Sequence, residues 1–366
     1  MGELISSTLS ELNSIQMPCL CANGPEPFVT VLVPMLNEAG HIETCLSSLR
    51  DQDYKAEKLE FIVLDGGSAD RGPEIVARIG EADSRVRLMQ NPGRIQAAAL
   101  NLGIARAVGE IIVRADAHAL YGATYVSTCV AHLISGRAEN VGGLQRATGA
   151  SRFAKAVAAA QNSRLGAGNA AYRVSKEAGY VDTVWLGAWY RQTLLDLGGF
   201  DESASPNEDY ELNYRLRKLG GRILLDPSLA STYFARASLA SLWRQYFRYG
   251  QGRVRTFKKH PGSLVLRQAI PPAFVSLLCV CCLLIPWTSY PALGLGALYG
   301  FLVLSGAFLR AKNSSWMNFA YLLVIYPAIH FSWGLGFIFR FLWWGGVPSG
   351  VRNSSMSGRV EREGNL

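Results

Sequence analysis

The chain has 366 residues, of which 17% are charged and 49% hydrophobic, and its formal net charge is +8. That apolar content excludes a disordered chain, and the length allows two domains with a full core. The charge is local: between Arg236 and Arg267 there are eight Lys or Arg and no Asp or Glu, which equals the whole excess.

Residues 1–27 form an N-terminal extension with Glu3, Glu11 and Glu26 and no apolar run after a basic start, so no signal peptide is expected. Strand and helix signals then alternate over residues 28–235 at the spacing of βα units, predicting an α/β domain. Phe28 to Val33 reads as a strand ending at Pro34. A helix follows from about Ala39 to Arg50, with Ile42, Cys45, Leu46 and Leu49 on one face and Asn37 as a plausible N-cap. Leu59 to Leu64 is the next strand and ends in Asp65-Gly66-Gly67-Ser68-Ala69-Asp70, with Asp70 capping a helix to about Ile79. A short strand, Val86 to Met89, leads into Asn91-Pro92-Gly93-Arg94, and a small-residue helix covers Ile95 to Ala107. The apolar run Ile111-Ile112-Val113 then delivers Arg114-Ala115-Asp116-Ala117-His118. All four strand ends fall on one rim, and in an open α/β sheet that rim is where ligands bind.

Several residues on and after this rim could do chemistry. Asp116 and His118, two apart, can face one cation that grips a diphosphate, or can be plain loop residues. Asp65 can accept from a base or a ribose hydroxyl, or simply close a turn. Glu38 lines the rim or complements a helix N-terminus, and Arg94 offers a charge to phosphate or packs over the edge. Near the start of a later helix whose apolar side is Tyr210, Leu212 and Leu216, Glu208 and Asp209 either complement the dipole or take a proton from an attacking hydroxyl. Gln245 and Arg248, three apart, share a face of a basic aromatic helix that also presents Tyr249.

The C-terminal third reads as membrane. Between Arg267 and Arg310 there is no charged residue, a stretch of roughly 63 Å if helical and enough for two crossings. Pro286 to Pro291 supplies a turn, and Asn313 to Phe339 is long enough for one more span, or doubles back as a re-entrant hairpin at Pro327 and Gly334-Leu335-Gly336. The segment 236–267, with Trp243, Tyr246, Phe247, Tyr249 and Phe257 among its basic residues, suits an amphipathic helix at the lipid interface better than a nucleic-acid patch. Residues 268–345 are then the membrane helices and 346–366 a tail that carries Arg352, Arg359 and Arg362. The seven cysteines, among them Cys19 and Cys21 and the intramembrane Cys279, Cys281 and Cys282, fit a reducing compartment and a cytoplasmic catalytic part.

Taken in order, these motifs resemble those of the family 2 glycosyltransferases over roughly residues 28–255. The resemblance implies a GT-A fold, a Rossmann-like nucleotide-sugar-binding domain followed here by transmembrane helices. Pro34-Met35-Leu36-Asn37-Glu38 resembles the family's Pro-x-x-Asn-Glu, which implies that Pro34, Leu36, Asn37 and Glu38 line the nucleotide. By the same resemblance Asp65 reads uracil or ribose, and Asp116 and His118 hold the metal and diphosphate. Asp209 is implied as the base beside Glu208, and Gln245 and Arg248 hold the diphosphate and acceptor end. Trp185, Gly187 and Ala188 fall in an acceptor-side loop. His118 departs from the usual second Asp, and imidazole tilts preference toward Mn²⁺ over Mg²⁺. Tyr249 departs from the usual Trp. Arg114 to Tyr121, with the C-terminal helices, looks like the narrower ExoA-type succinoglycan glucosyltransferases. That likeness implies inverting transfer of glucose from UDP-glucose, in β-1,3 linkage, to a galactose on undecaprenyl diphosphate at the cytoplasmic face of a bacterial inner membrane. A processive polysaccharide synthase and a non-catalytic sugar-nucleotide-binding membrane protein are the alternatives.

Overall fold

Two parallel strands, β1 (Val29–Met35) and β2 (Leu59–Asp65), lie at the heart of the sheet and are buried on both faces, as strands sheathed by helices must be. The computed structural model describes residues 26–312 and 315–343. The expectations for Glu3, Glu11, Cys19 and Cys21, and for Arg352, Arg359 and Arg362, lie outside the described residues. Beside the first two strands run β3 (Val86–Gln90) and β4 (Ile111–Arg114); β5 (Asn140–Gly143), β6 (Gln145–Thr148), β7 (Gly179–Tyr180), β8 (Trp185–Tyr190), β9 (Ile223–Leu225) and β10 (Ser231–Phe234) follow. The main sheet has the order β3-β2-β1-β4-β8-β5-β9-β7, and β10 pairs with β6 in a separate parallel ribbon. β8 is antiparallel to both β4 and β5, so the parallel half meets a mixed half between β4 and β8.

The helices that cover the sheet are α1 (Ile42–Arg50), α2 (Gly72–Ala82), α3 (Gln96–Arg106) and α4 (Tyr125–Ile134). The face of α1 is the one expected, Ile42, Cys45, Leu46 and Leu49. Its start is later than expected, because Asn37 adopts a left-handed backbone (φ 57°) and bonds the neighbouring loop instead of capping the helix. β1 also runs through Pro34 to Met35; pairing with β4 has ended at Leu32↔Arg114, so no ladder bond to β4 is lost at the proline. Short helices α5 (Arg152–Gln161), α6 (Arg164–Ala167), α7 (Ala171–Val174) and α8 (Arg191–Asp196) precede α9 (Glu208–Lys218).

Beyond the sheet lie α10 (Leu239–Lys259), α11 (Leu266–Leu283), α12 (Tyr290–Lys312) and α13 (Phe319–Leu342). The last three are long and apolar enough to cross a membrane. α11 and α12 turn Leu277, Leu283, Leu293, Leu298 and Phe301 outward, an apolar surface that suits lipid. α13 is one continuous helix through Pro327 and Gly334-Leu335-Gly336, which corrects the re-entrant alternative. Within a helix bundle, neighbouring groups satisfy the backbone freed at a proline.

α10 also differs from expectation. It does not merely lie at an interface: a full face, including Leu242, Gln245, Tyr246, Gly250 and Val254, is buried. A methyl group at Gly250 would collide with the backbone of Trp333, and one at Gly336 with the backbone of Phe247. The two helices therefore cross at backbone distance, and only glycine permits it. Several of the basic residues are used inside the protein. Arg255 donates to the Ser205 carbonyl at 2.6 Å, Lys259 pairs with Asp201 at 2.7 Å and Arg267 with Asp182 at 2.6 Å. Arg236, Arg244 and Arg248 remain exposed.

Candidate active site

The ends of β1 and β2 stand side by side, with Met35 opposite Asp65, and their loops are stitched together. The Asn37 N–H donates to Ser68 Oγ at 2.8 Å, and Asn37 Oδ1 accepts from the Ala69 N–H at 2.8 Å. The Ala39 N–H donates to Asp70 at 2.8 Å. Asp65 is buried and accepts from Ser68 Oγ at 2.6 Å and from the Ser68 and Gly67 amides. Its carboxylate thus shapes the Gly66-Gly67 turn that the side chain of Arg94, itself left-handed (φ 57°), overhangs. Leu36 leaves 49% of its surface open on the same rim, and Pro34 sits one turn of the pleat behind it. The result is a rigid edge with one apolar side chain and one guanidinium facing outward.

The second half of the site hangs from β4. An arginine ending an otherwise apolar strand must find partners, and Arg114 finds two. One terminal nitrogen pairs with Asp209 at the start of α9; the other lies 3.3 Å from Asp116. Gln96 donates to the same Asp116 oxygen at 3.2 Å, and the Asp116 backbone is tied to the Tyr121 hydroxyl at 2.7 Å. Burial works to lower the Arg114 pKa, but Asp209, Asp116 and Glu208 outweigh it and hold the group above its ordinary value. For Asp209 the balance tips the other way. Burial pushes its carboxyl up to about 7, with Glu208 and Asp116 adding to the rise against the pull of Arg114. Glu208 itself is buried, and its Oε2 has no hydrogen-bond partner. Asp209 still keeps 22% of its side-chain surface open. It is a carboxyl poised near neutrality and reachable from outside.

His118 is held by Glu38, Nδ1 to Oε1 at 3.0 Å. Burial would lower its pKa, yet the bond to Glu38 and the charge of Asp116 raise it. No group of three or more His, Cys, Asp or Glu placed to hold a metal occurs among the described residues. Asp116 and His118 therefore suffice for a cation only if ligand oxygens and water complete its shell. The donor set fits that use. The second carboxylate oxygen of Asp116 and the second ring nitrogen of His118 remain for a cation, while Glu38 orients the imidazole from its other nitrogen as outer carboxylates do at metal-binding histidines.

The other expected site residues divide. Trp185, Gly187 and Ala188 lie in strand β8, not in a loop: Gly187 pairs with Arg114 and Ala188 with Val113 in the middle of the sheet, and the Ala188 side chain is buried. Hydrophobic residues on both sides of that register draw it into the core. Trp185, at the start of the strand, is half-buried, donates to Ser231 Oγ at 3.0 Å and meets Tyr233 edge to face. Gln245 and Arg248 do not share a face as expected. Gln245 is buried, donating to the hydroxyls of Tyr233 at 2.6 Å and Tyr249 at 3.1 Å, whereas Arg248 is exposed. The stripe of α10 that packs on α13 fixes the rotation of the helix and leaves position 248 outside it. Arg114 as a clamp, Gln96 and Tyr233 were missed in sequence. Only Arg114 carried a signal, a charge closing a buried strand.

The family described as glycosyl transferase family 2 matches residues 30–195. Among curated relatives, the succinoglycan biosynthesis protein ExoA of Rhizobium meliloti (strain 1021) is 38% identical over 245 residues, 66% of this chain and 74% of that protein. A dolichyl N-acetyl-alpha-D-glucosaminyl phosphate 3-beta-D-2,3-diacetamido-2,3-dideoxy-beta-D-glucuronosyltransferase of Methanococcus voltae is 24% identical over 240 residues, 63% of this chain and 74% of that one. Among solved structures, the mannosyltransferase PcManGT from Pyrobaculum calidifontis, in complex with GDP-Man and Mn²⁺, superposes with a TM-score of 0.58 at 24% identity, over 83% of this chain and 87% of its own. That likeness is one of fold.

Proposed function

We propose, from the premise that the chain belongs to glycosyl transferase family 2 and has the GT-A fold of a glycosyltransferase, that it performs an inverting, metal-dependent hexose transfer. The donor is a UDP-sugar, with UDP-glucose and a β-1,3 linkage favoured, and the acceptor a saccharide on a polyprenyl diphosphate. The setting is exopolysaccharide assembly of the succinoglycan type, at the cytoplasmic face of a bacterial inner membrane. The ExoA relative supports the pathway class, and the three apolar helices support a membrane acceptor.

One observation carries the chemistry: Arg114 joins Asp116, the diphosphate-side carboxylate, to Asp209, the candidate base. In this proposal the Pro34–Glu38 and Asp65 loops hold the nucleoside, with Leu36 under the base and Arg94 over the phosphates. Asp116 and His118 would hold a divalent cation, Mn²⁺ or Mg²⁺, which would supply positive charge to the diphosphate leaving group. Asp209, near neutrality by burial, takes the proton of the acceptor hydroxyl as that oxygen bonds the anomeric carbon and the bond to the diphosphate oxygen breaks. Glu208 raises the basicity of Asp209. Trp185 and the Gln245–Tyr233–Tyr249 group border the acceptor side.

The test is direct. Detergent-purified protein is mixed with UDP-glucose, Mn²⁺ and a galactosyl-diphosphate lipid, and UDP release and product mass are measured. A metal-dependent gain of one hexose supports the transfer, its UDP-sugar donor and its lipid-linked acceptor. Long polymeric products would instead mark a processive synthase, and binding of UDP without turnover on any UDP-sugar and lipid pair would sink the transferase assignment.

A further inference from the structure

Between the rim and the first membrane-length helix, two arginines are buried without counter-charges. Arg173, in α7, is 7% exposed; it forms no ion pair with a described carboxylate, and its Nη1 has no partner. The titratable groups around it are four tyrosines, Tyr172, Tyr246, Tyr249 and Tyr233, which carry no charge near neutral pH. Arg253, in α10, is 5% exposed, with Nε and Nη1 unpartnered and its guanidinium 3.6 Å from the ring centre of Tyr210. Burial brings Arg253 down to about 10; Asp182, the carboxylate that acts on it, is already bonded to Arg267 at 2.6 Å. The Tyr172 ring centre lies 5.6 Å from the Arg173 guanidinium, so each arginine lies over a tyrosine ring.

A buried cation lacking a partner is costly, and two are more so. Such an arrangement persists where an anion completes it. Guanidinium forks match phosphate oxygens, two forks suit a diphosphate, and stacking on rings keeps them aimed. The position of the pair indicates whose diphosphate it takes. On one side Tyr233 touches the metal-side residues, its ring 6.2 Å from His118. On the other, the chain leads from Arg253 in α10 to Arg267, the second residue of α11.

We propose that Arg173 and Arg253 form the binding site for the diphosphate of the lipid-linked acceptor, with the polyprenyl chain leaving along α11. This rests on the transferase reading above but adds residues that no motif marks. The donor's diphosphate belongs to Asp116 and His118, so the two sites separate in binding experiments that need no turnover.

Full-length protein in detergent is titrated with farnesyl diphosphate, farnesyl monophosphate and UDP with Mn²⁺, by calorimetry or thermal shift. Charge-assisted hydrogen bonds lost from a buried site weaken binding by about tenfold or more. The expected result is that Arg173→Gln binds farnesyl diphosphate at least about tenfold more weakly than wild type, with Arg173→Lys in between and UDP affinity unchanged in both. Arg253→Gln shows the same pattern; if it does not fold, Arg173→Gln decides alone. Unchanged farnesyl diphosphate binding in Arg173→Gln overturns the proposal. A parallel loss of UDP binding also overturns it, assigning the arginines to the donor. Wild-type protein that binds farnesyl diphosphate through Arg173 yet turns over no UDP-sugar with any saccharide-bearing lipid diphosphate would overturn the transferase reading and leave this site standing.

Discussion

Arg114 closes strand β4 and pairs with Asp209, 95 residues further along the chain. The carboxylate read as the base is thus held by a buried guanidinium that also reaches Asp116. Removing that guanidinium leaves Asp116, Glu208 and Asp209 facing one another without a cation. Breaking a buried ion pair by deleting one partner costs about 3–5 kcal/mol. Arg114→Met should therefore lower the thermal midpoint of the detergent-solubilised protein by many degrees. A midpoint within a degree of wild type would show that the pair is not structural.

Asp209→Asn keeps the shape but removes the proton acceptor. A general base contributes roughly 10²–10⁴-fold to rate, so kcat should fall by that range while UDP affinity stays within about twofold. Single-turnover transfer and equilibrium UDP binding measure the two separately; transfer at wild-type rate would reassign the base.

Asp209 must be ionised to act, and its pKa is raised from 3.8 to about 7. Activity should accordingly fall as pH drops through about 7. The linked stability runs the opposite way. Between 3.8 and about 7 the folded state holds a proton that the unfolded chain has released, so this group's contribution declines as pH rises across that window. Because Glu208 helps raise Asp209, Glu208→Gln should move the acid limb of the pH–rate profile to lower pH. A limb that stays in place would show that Glu208 does not tune the base.

Glu38 orients His118 from Nδ1. Removing such outer-shell carboxylates typically costs 10–100-fold in metal affinity or activity. Glu38→Gln should raise the Mn²⁺ concentration needed for half-maximal transfer by about tenfold or more, and chelation should abolish transfer in the wild type. Equal Mn²⁺ requirements in variant and wild type would remove His118 from the metal site.

The α10–α13 crossing admits no side chain at Gly250 or Gly336. Forcing atoms into a packed contact costs about 1–3 kcal/mol or more. Gly336→Leu should lower the thermal midpoint and reduce transfer, since α10 also carries Gln245 and Arg253. Gly296→Leu, on α12 with open space around its Cβ, is the control and should leave both unchanged.

Much of this molecule was legible before any coordinate. The alternation of short apolar runs with amphipathic stretches located β1 to β4 and the helices between them to within a few residues, because those signals are local. Two uncharged apolar runs, the first long enough for two crossings, were likewise sufficient for the membrane-length helices, since length and hydropathy alone are at issue. The loop motifs pointed to one rim because parallel strands must place their ends together.

What the sequence could not decide was which side chains turn toward one another. Spacing of three suggested that Gln245 and Arg248 act together; packing of α10 on α13 rotated one inward and the other out. Trp185-Leu186-Gly187-Ala188 read as a loop, but pairing with β4 drew it into the sheet. The Arg114–Asp209 pair, the Glu38–His118 bond and the uncompensated Arg173 and Arg253 join residues far apart in the chain. Local propensity and periodicity specify elements, and their physical basis lies within a few residues. Charge pairing across elements depends on distance in space, which the tertiary fold alone sets.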